Sequence, residues 1–452
     1  MFIIIIFLMC VPHTAKAVTI EDYIDIARRS NIALKERHLN VEASQFALQE
    51  ARGCFLPSIS LEVRYSRAGG GREISFPSGD MLNPVYGTLN EMLVSQGQPP
   101  RFPTNIENMQ IPMLRSREHD TKLRATQPLF VPAILDNYQL HHALTEIDAA
   151  QLTTFEKQLV LDVQTAYFNW RKSSEVLTVL VNTRKLLEES MRVSEALVQQ
   201  NKATPDVVFR AKAELAAFDQ KEREAKMQAK IAQNYFNFLL NRPLDKVIEI
   251  AIDENTQSSE AASTKNLEEL IVKAHTRAEF KAATAAQKAA AEGVDLAANK
   301  YLPSLVAVFD YGYEGTSYYS RDSNRYWMAS LALSWNIFNG MQDSAEKQRL
   351  EKQVELAKAR YRELELGIDL AVRQAIEGIA VARCAIESAD ARVASERQSF
   401  VIVNKRFALG MAPHIELIEA QTALVGAEIA NAVANFDLQI KQAELKHALG
   451  IN

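Results

Sequence analysis

Four short stretches of the chain alternate apolar and polar residues. Ser58-Ile59-Ser60-Leu61-Glu62-Val63-Arg64-Tyr65-Ser66 does so strictly. Leu305, Ala307, Phe309, Tyr311 and Tyr313 alternate against Asp310 and Glu314, and Trp327, Ala329, Leu331, Leu333, Trp335 and Ile337 against Ser330, Ser334 and Asn336. Lys122 to Phe130 alternates more weakly, through Leu123, Ala125 and Leu129. A period of two predicts strands. Elsewhere the period is near seven residues for two turns, which predicts long, coiled-coil-like helices. Over Ala133 to Gln200, Val163, Trp170, Leu177, Met191 and Val198 form one comb and Leu159, Ala166, Leu180 and Leu187 another, with Ser173, Arg184 and Ser194 as polar interruptions. Over Met341 to Leu409 the comb is of small residues, Ala375, Gly378, Ala382, Ala385 and Ala389, which lets helices approach closely. No glycine separates Gly97 from Gly293, and no proline separates Pro303 from Pro413, so turns are scarce where these helices are expected.

Two internal echoes order these elements. Leu56-Pro57-Ser58-Ile59 recurs as Leu302-Pro303-Ser304-Leu305, 246 positions on. Phe130 recurs as Phe338 and Pro205 as Pro413, both 208 positions on. A shared offset points to a duplicated chain. The difference places an insertion in the first copy, and the stretch from Gly69 to His119, with its triple glycine and six prolines, reads as a long surface loop. Its counterpart near Ser317 to Asn324 is short. The expected division is residues 18–240, a collar segment 241–265 containing a short Val247 to Ile250 strand, and residues 266–452. Each long helix would run about 100 Å. Half-length helices, Ile20 to Gly53, Asp206 to Leu240, Asn266 to Lys300 and His414 to Leu449, would stack end to end in pairs beside the long ones.

Composition narrows the function. Lys and Arg number 51 against 56 Asp and Glu, a formal charge of −5, which argues against nucleic acid as a partner. The start, Phe2 to Cys10 followed by Pro12 and Ala15-Lys16-Ala17, reads as a secretory signal over residues 1–17, although no Lys or Arg precedes its apolar run. Lipidation of Cys10 is the rival reading, and Met9 is a bulky neighbour for it. Cys54 and Cys384 fall far apart in this architecture and are expected to be inert packing residues.

Each strand has the length of a tilted transmembrane β-strand, about nine to eleven residues. Tyr65, Tyr313, Trp327 and Trp335 near the strand ends resemble an interfacial aromatic belt. A soluble half-buried sheet has the same alternation. In lipid, however, four strands cannot close, so copies would have to pool them.

The duplicated Leu-Pro-Ser before a strand, Gln127-Pro128-Leu129-Phe130, and Arg406-Phe407-Ala408-Leu409-Gly410 followed by Glu416-Leu417-Ile418-Glu419-Ala420-Gln421 resemble the TolC-like outer-membrane efflux protein family. The resemblance implies an α+β membrane protein: a homotrimer with a 12-stranded barrel in the outer membrane of a Gram-negative bacterium, continuous with a long periplasmic α-helical barrel. It implies a passive exit channel that works with a periplasmic adaptor (membrane fusion protein) and an inner-membrane pump of RND, ABC or MFS type, in efflux or type I secretion. Drug, metal ion and protein cargo all remain open. The helix turns would be periplasmic tips, with Asn201, Lys202, Arg406, Leu409 and Gly410 at the adaptor grooves. Glu416 and Glu419, one helical turn apart, would ring the narrow mouth with carboxylates. Gly410 also suits a plain helix cap, and the Glu pair a solvated face. No enzyme motif, cofactor site or metal site is expected; His141, His142 and Glu146 read as a surface cluster. A soluble periplasmic coiled-coil bridge without a pore is the alternative.

Overall fold

The computed structural model describes residues 18–250, 267–317, 324–409 and 411–451. The leader with Cys10, residues 251–265 of the collar, most of the short Ser317 to Asn324 loop and Gly410 lie outside them. The chain divides into a helical unit (residues up to Leu48, Gln139–Glu292 and Gln348–Asn452) and a sheet-bearing unit (Gln49–Tyr138 and Gly293–Lys347).

In the sheet-bearing unit, β1 (Ser58–Arg67), β4 (Arg117–Phe130), β5 (Ser304–Gly315) and β6 (Arg325–Ser334) form one antiparallel sheet in the order β1-β4-β5-β6. Among the described residues, β1 and β6 are its edges. The register puts Leu61, Leu123, Tyr311 and Trp327 on one row and Glu62, Lys122, Gly312 and Tyr326 on the next. Successive side chains of a strand point to opposite faces, so the sheet has one apolar and one charged face. Gly312 is required by space, because an added Cβ would lie 2.5 Å from the Thr121 carbonyl oxygen. The register slips between Pro128 and Phe130. Proline has no N–H for the ladder and is tolerated at such a bulge.

Three expectations about this region change. Strand β4 starts at Arg117, not Lys122. Strand β6 ends at Ser334, leaving Trp335 and Ile337 beyond it. The presumed loop from Gly69 to His119 is instead built: β2 (Glu73–Phe76) pairs with β3 (Met109–Pro112), and helix α3 (Ser78–Ser95) stands between them. Only the bend at its base uses the triple glycine, with φ +75° at Gly70 and +105° at Gly71.

The helical elements are α1 (Ile20–Ser30), α2 (Ile32–Gly53), α4 (Pro132–Gln199), α5 (Asp206–Leu239), α6 (Leu267–Ala274), α7 (Ala278–Ala298), α8 (Gln342–Ala408) and α9 (His414–Ala448). The two long helices have 68 and 67 residues, about 100 Å each at 1.5 Å rise. Buried positions of α4 follow the second comb through Leu159, Ala166, Leu180 and Leu187, then Ser194, whose hydroxyl donates to the Ser190 carbonyl at 2.8 Å. In α8 the buried comb is Ile368, Ala375, Ala382 and Ala389.

Each expected half-length helix at the start of a repeat is broken. Between α1 and α2, Asn31 is extended; its side-chain oxygen accepts from the Leu34 N–H at 2.9 Å and its amide donates to the Leu239 carbonyl at 2.9 Å. The break between α6 and α7 ends at Arg277, whose guanidinium donates to the Ala448 carbonyl at 3.1 Å. Both residues therefore satisfy a carbonyl that the end of α5 or α9 leaves without a helical partner. The break in the first helix thus ties it to the end of α5.

The core beside it gathers Tyr23, Ile24 and Ala27 of α1, Val163 and Tyr167 of α4, and Phe236 and Leu240, with Val163 and Phe236 fully buried. Val247 to Ile250 does not form a strand. Tyr23 replaces a partner strand: its hydroxyl donates to the Glu249 carbonyl and accepts from the Glu249 N–H, both at 3.0 Å. Cys54 and Cys384 are unpaired and exposed, so neither is a packing residue.

Candidate functional site

Two sets of candidate residues take shape in the two units. In the helical unit they sit at the turns. The end of α4 closes with Lys202 N–H donating to Leu197 O at 2.9 Å and Asn201 N–H to Val198 O at 3.0 Å, while Asn201 takes φ +57°. That pair of bonds around a left-handed residue is a Schellman cap. Asparagine tolerates this conformation better than most residues, which is why the turn forms without glycine. At the end of α8, Met411 N–H donates to Arg406 O at 2.8 Å. Leu409 and Met411 stand 72% and 68% exposed there.

Arg406 reaches across this turn. Its guanidinium lies 3.4 Å from a Glu416 carboxylate oxygen and 3.3 Å from the Met411 carbonyl. The expected docking residue and the expected mouth residue are therefore one ion pair. Glu416 is half-buried in the first turn of α9, while Glu419 is exposed. Carboxylates at that end of a helix are favoured by its dipole.

Sequence reasoning missed His414, which is buried beside them. One ring nitrogen lies 3.5 Å from the Ser190 hydroxyl, the ring packs 5.5 Å from that of Phe407, and Nδ1 has no hydrogen-bond partner. Burial, and then the positive charge of Arg210, hold its pKa below the ordinary 6.5. The visible signal was a histidine immediately after Pro413, where the helix must begin. His142 lies 3.7 Å from Glu146, both substantially exposed.

The second set is on the sheet. Tyr65, Tyr313 and Trp327 lie toward the end of the apolar face remote from the helices, whereas Trp335 lies just past the other end, its indole N–H donating to the Tyr301 carbonyl at 3.0 Å. Trp327 and Trp335 are eight residues apart, about 26 Å at strand rise. Between them the apolar face is bare: Ile59, Leu61, Leu331 and Leu333 are each exposed by about two-thirds. The opposite face carries a charge network that the alternation alone did not reveal. Arg124 grips Asp310 through two bonds of 2.8 and 2.9 Å and reaches Glu62 at 3.1 Å; Lys122 pairs with Asp120 at 2.9 Å, and Tyr326 donates to Asp120 at 2.9 Å. Its sequence signal was parity: all six residues fall on the polar side of the register.

Residues 273–451 match the family model described as outer membrane efflux protein. Over that stretch the chain is similar to the outer membrane efflux protein family. The stretch carries Arg406, Glu416 and Glu419. No curated protein matches the sequence. Among solved structures, the Vibrio cholerae outer membrane protein VceC is 14% identical with a TM-score of 0.76, covering 96% of this chain and 96% of its own. The Campylobacter jejuni outer membrane channel CmeC is 14% identical at 0.77, covering 98% and 90%. The open state of the Neisseria gonorrhoeae outer membrane channel MtrE is 18% identical at 0.74, covering 96% and 89%. The fold of this chain is thus shared with outer-membrane channels along nearly its whole length. No helix among the described residues is long and apolar enough to cross a membrane, which says nothing of strands.

Proposed function

We propose that this chain is one subunit of a homotrimeric, passive exit duct for efflux, built on an internally duplicated sequence. Each copy contributes its four strands to a twelve-stranded barrel in the outer membrane, β6 of one copy pairing with β1 of the next. An open sheet edge has no place in lipid, so closure between copies follows from the membrane reading. The observation that carries the reading is the inversion of the sheet: apolar side chains bare on one face, charges paired with each other on the other. Lipid would cover the first, and the lumen would wet the second. The aromatic spacing of about 26 Å along a strand tilted by about 40° spans about 20 Å of membrane height, close to an apolar band about 25 Å tall.

The helices form the periplasmic tunnel. Its tips, Asn201, Lys202, Arg406, Leu409 and Gly410, receive an adaptor, and an RND-, ABC- or MFS-type pump in the inner membrane supplies the energy. Threefold symmetry turns Glu416 and Glu419 into two carboxylate rings, which attract cations and repel each other as the mouth narrows. Arg406 offsets part of the Glu416 charge, leaving the exposed Glu419 as the stronger cation ring.

Extraction and conductance test this. The duct requires detergent, migrates as a trimer and conducts in planar bilayers; a protein that washes off with salt as a monomer would be a soluble bridge instead. Replacing Glu416 and Glu419 together by Ala should weaken block by multivalent cations about tenfold or more, since each ring gathers three charges at one point. An unchanged block removes both residues from the mouth.

A further inference from the structure

Helix α3 is folded inside out. Its polar side holds it to its own return segment. Asn83 exchanges two 2.9 Å hydrogen bonds with the backbone of Ile106, and Asn90 binds the backbone of Arg101 and Phe102 at 2.7 to 3.0 Å. Asn108 caps its first turn at the Gly79 and Asp80 N–H groups, 3.0 and 3.1 Å away. The Gly79 Cα approaches so closely that an added Cβ would lie 2.0 Å from the Ile106 carbonyl oxygen. These ties point the opposite side outward, and that side is apolar. Leu82, Val85, Leu89 and Met92, at spacings of three, four and three, are 38%, 53%, 36% and 58% exposed.

A 3-4-3 stripe is the seam of helix-on-helix packing. An exposed apolar stripe of this kind marks an interaction surface. Lipid surfaces take helices whose polar sides carry Lys and Arg; α3 carries Asp80 and Glu91 and no basic residue. The route of the chain indicates another copy. The ribbon that bears α3 continues β1 and β4, with Ala68 N–H donating to Ser116 O at 3.2 Å and Met113 N–H to Arg72 O at 3.0 Å. Strand β1 is the edge that the duct reading pairs with the next copy, so α3 rises from the seam between copies, at the strand ends away from the long helices. A seam of under two heptads is too short to associate alone, but tethering at the rim of one barrel raises the effective concentration to the millimolar range.

We infer that the α3 helices of sister copies pack through Leu82, Val85, Leu89 and Met92 into an apolar cap over the outer mouth. This rests on the trimeric duct. The test uses full-length protein purified in detergent, with Cys54→Ser and Cys384→Ser, and a single new cysteine by Val85→Cys on the seam or Glu91→Cys on the far side. Copper-phenanthroline oxidation should link pairs of copies at least tenfold faster for Val85→Cys than for Glu91→Cys. It should also lower conductance at least twofold, reversibly with reductant. Equal rates, or no link, in a preparation that migrates as a trimer overturn the cap and leave the duct standing. Labelling of Val85→Cys by a lipid-soluble maleimide without cross-linking assigns the stripe to lipid and also overturns it. Cross-linking with unchanged conductance refutes capping, and a monomeric preparation refutes both the cap and the duct.

Discussion

The core around Phe236 and the sheet around Arg124 solve the same problem in opposite directions. In the helical unit, Tyr23, Val163, Tyr167 and Phe236 turn inward and pack together. In the sheet, Ile59, Leu61, Leu331 and Leu333 turn outward, while Asp310 is fully buried under the guanidinium of Arg124. The hydrophobic effect acts the same way on both. On the duct reading, the difference lies in the solvent each surface would meet, water for the core's surroundings and lipid for the bare face of the sheet.

The comparison can be broken most sharply at the charge network. Arg124→Ala removes the two-bond partner that holds and covers the Asp310 carboxylate, and a lowered melting temperature is expected. Melting of the detergent-solubilised protein should show it, and the double variant with Asp310→Asn should recover much of the loss. If the single variant melts like the parent, the network is a wet surface of no consequence. Next in size is Leu331→Arg on the apolar face. In lipid it should cost about 2–4 kcal/mol near the midplane and reduce the protein recovered in the outer membrane. In water the same change on a two-thirds-exposed position would be nearly neutral, so normal membrane yield would return the sheet to solvent.

The smallest effect concerns the tip, where the helical unit buries a titratable group. Folded His414 resists protonation because of burial and Arg210. As pH falls below about 6.5, the ordinary histidine value, the unfolded chain takes up the proton first. Stability therefore drops below that pH and levels off once the folded imidazole also protonates. His414→Phe should flatten the melting temperature between pH 7.5 and 5 relative to the parent. Parallel profiles would show that His414 contributes nothing to the acid response.

Much of the fold was legible because its signals are local and repetitive. The ends of α4, α5, α8 and α9 fall within a residue of where comb spacing, Pro205 and Pro413 place them. What eluded the sequence depends on partners far along the chain. Asn31 looks like any helical asparagine until the Leu239 carbonyl lies beside it. Val247 to Ile250 has strand composition, but Tyr23 takes the place of a neighbouring strand. In α3 the 3-4-3 stripe was present, yet Pro84 and the surrounding prolines and glycines made the region read as loop. The turn between α8 and α9 was half legible: motif order singled out Arg406 and Glu416, but not that they form one ion pair with His414 buried in the same turn.

Periodicity along the chain was thus enough to specify rods and ribbons, since backbone geometry maps spacing directly onto a helix face or a strand face. It left open which groups neutralise one another and which faces stay bare. Those follow from contacts between residues as distant as Arg124 and Asp310, or Arg277 and Ala448. Such contacts exist only after the register across the sheet and the stacking of the half-helices bring them within hydrogen-bonding distance.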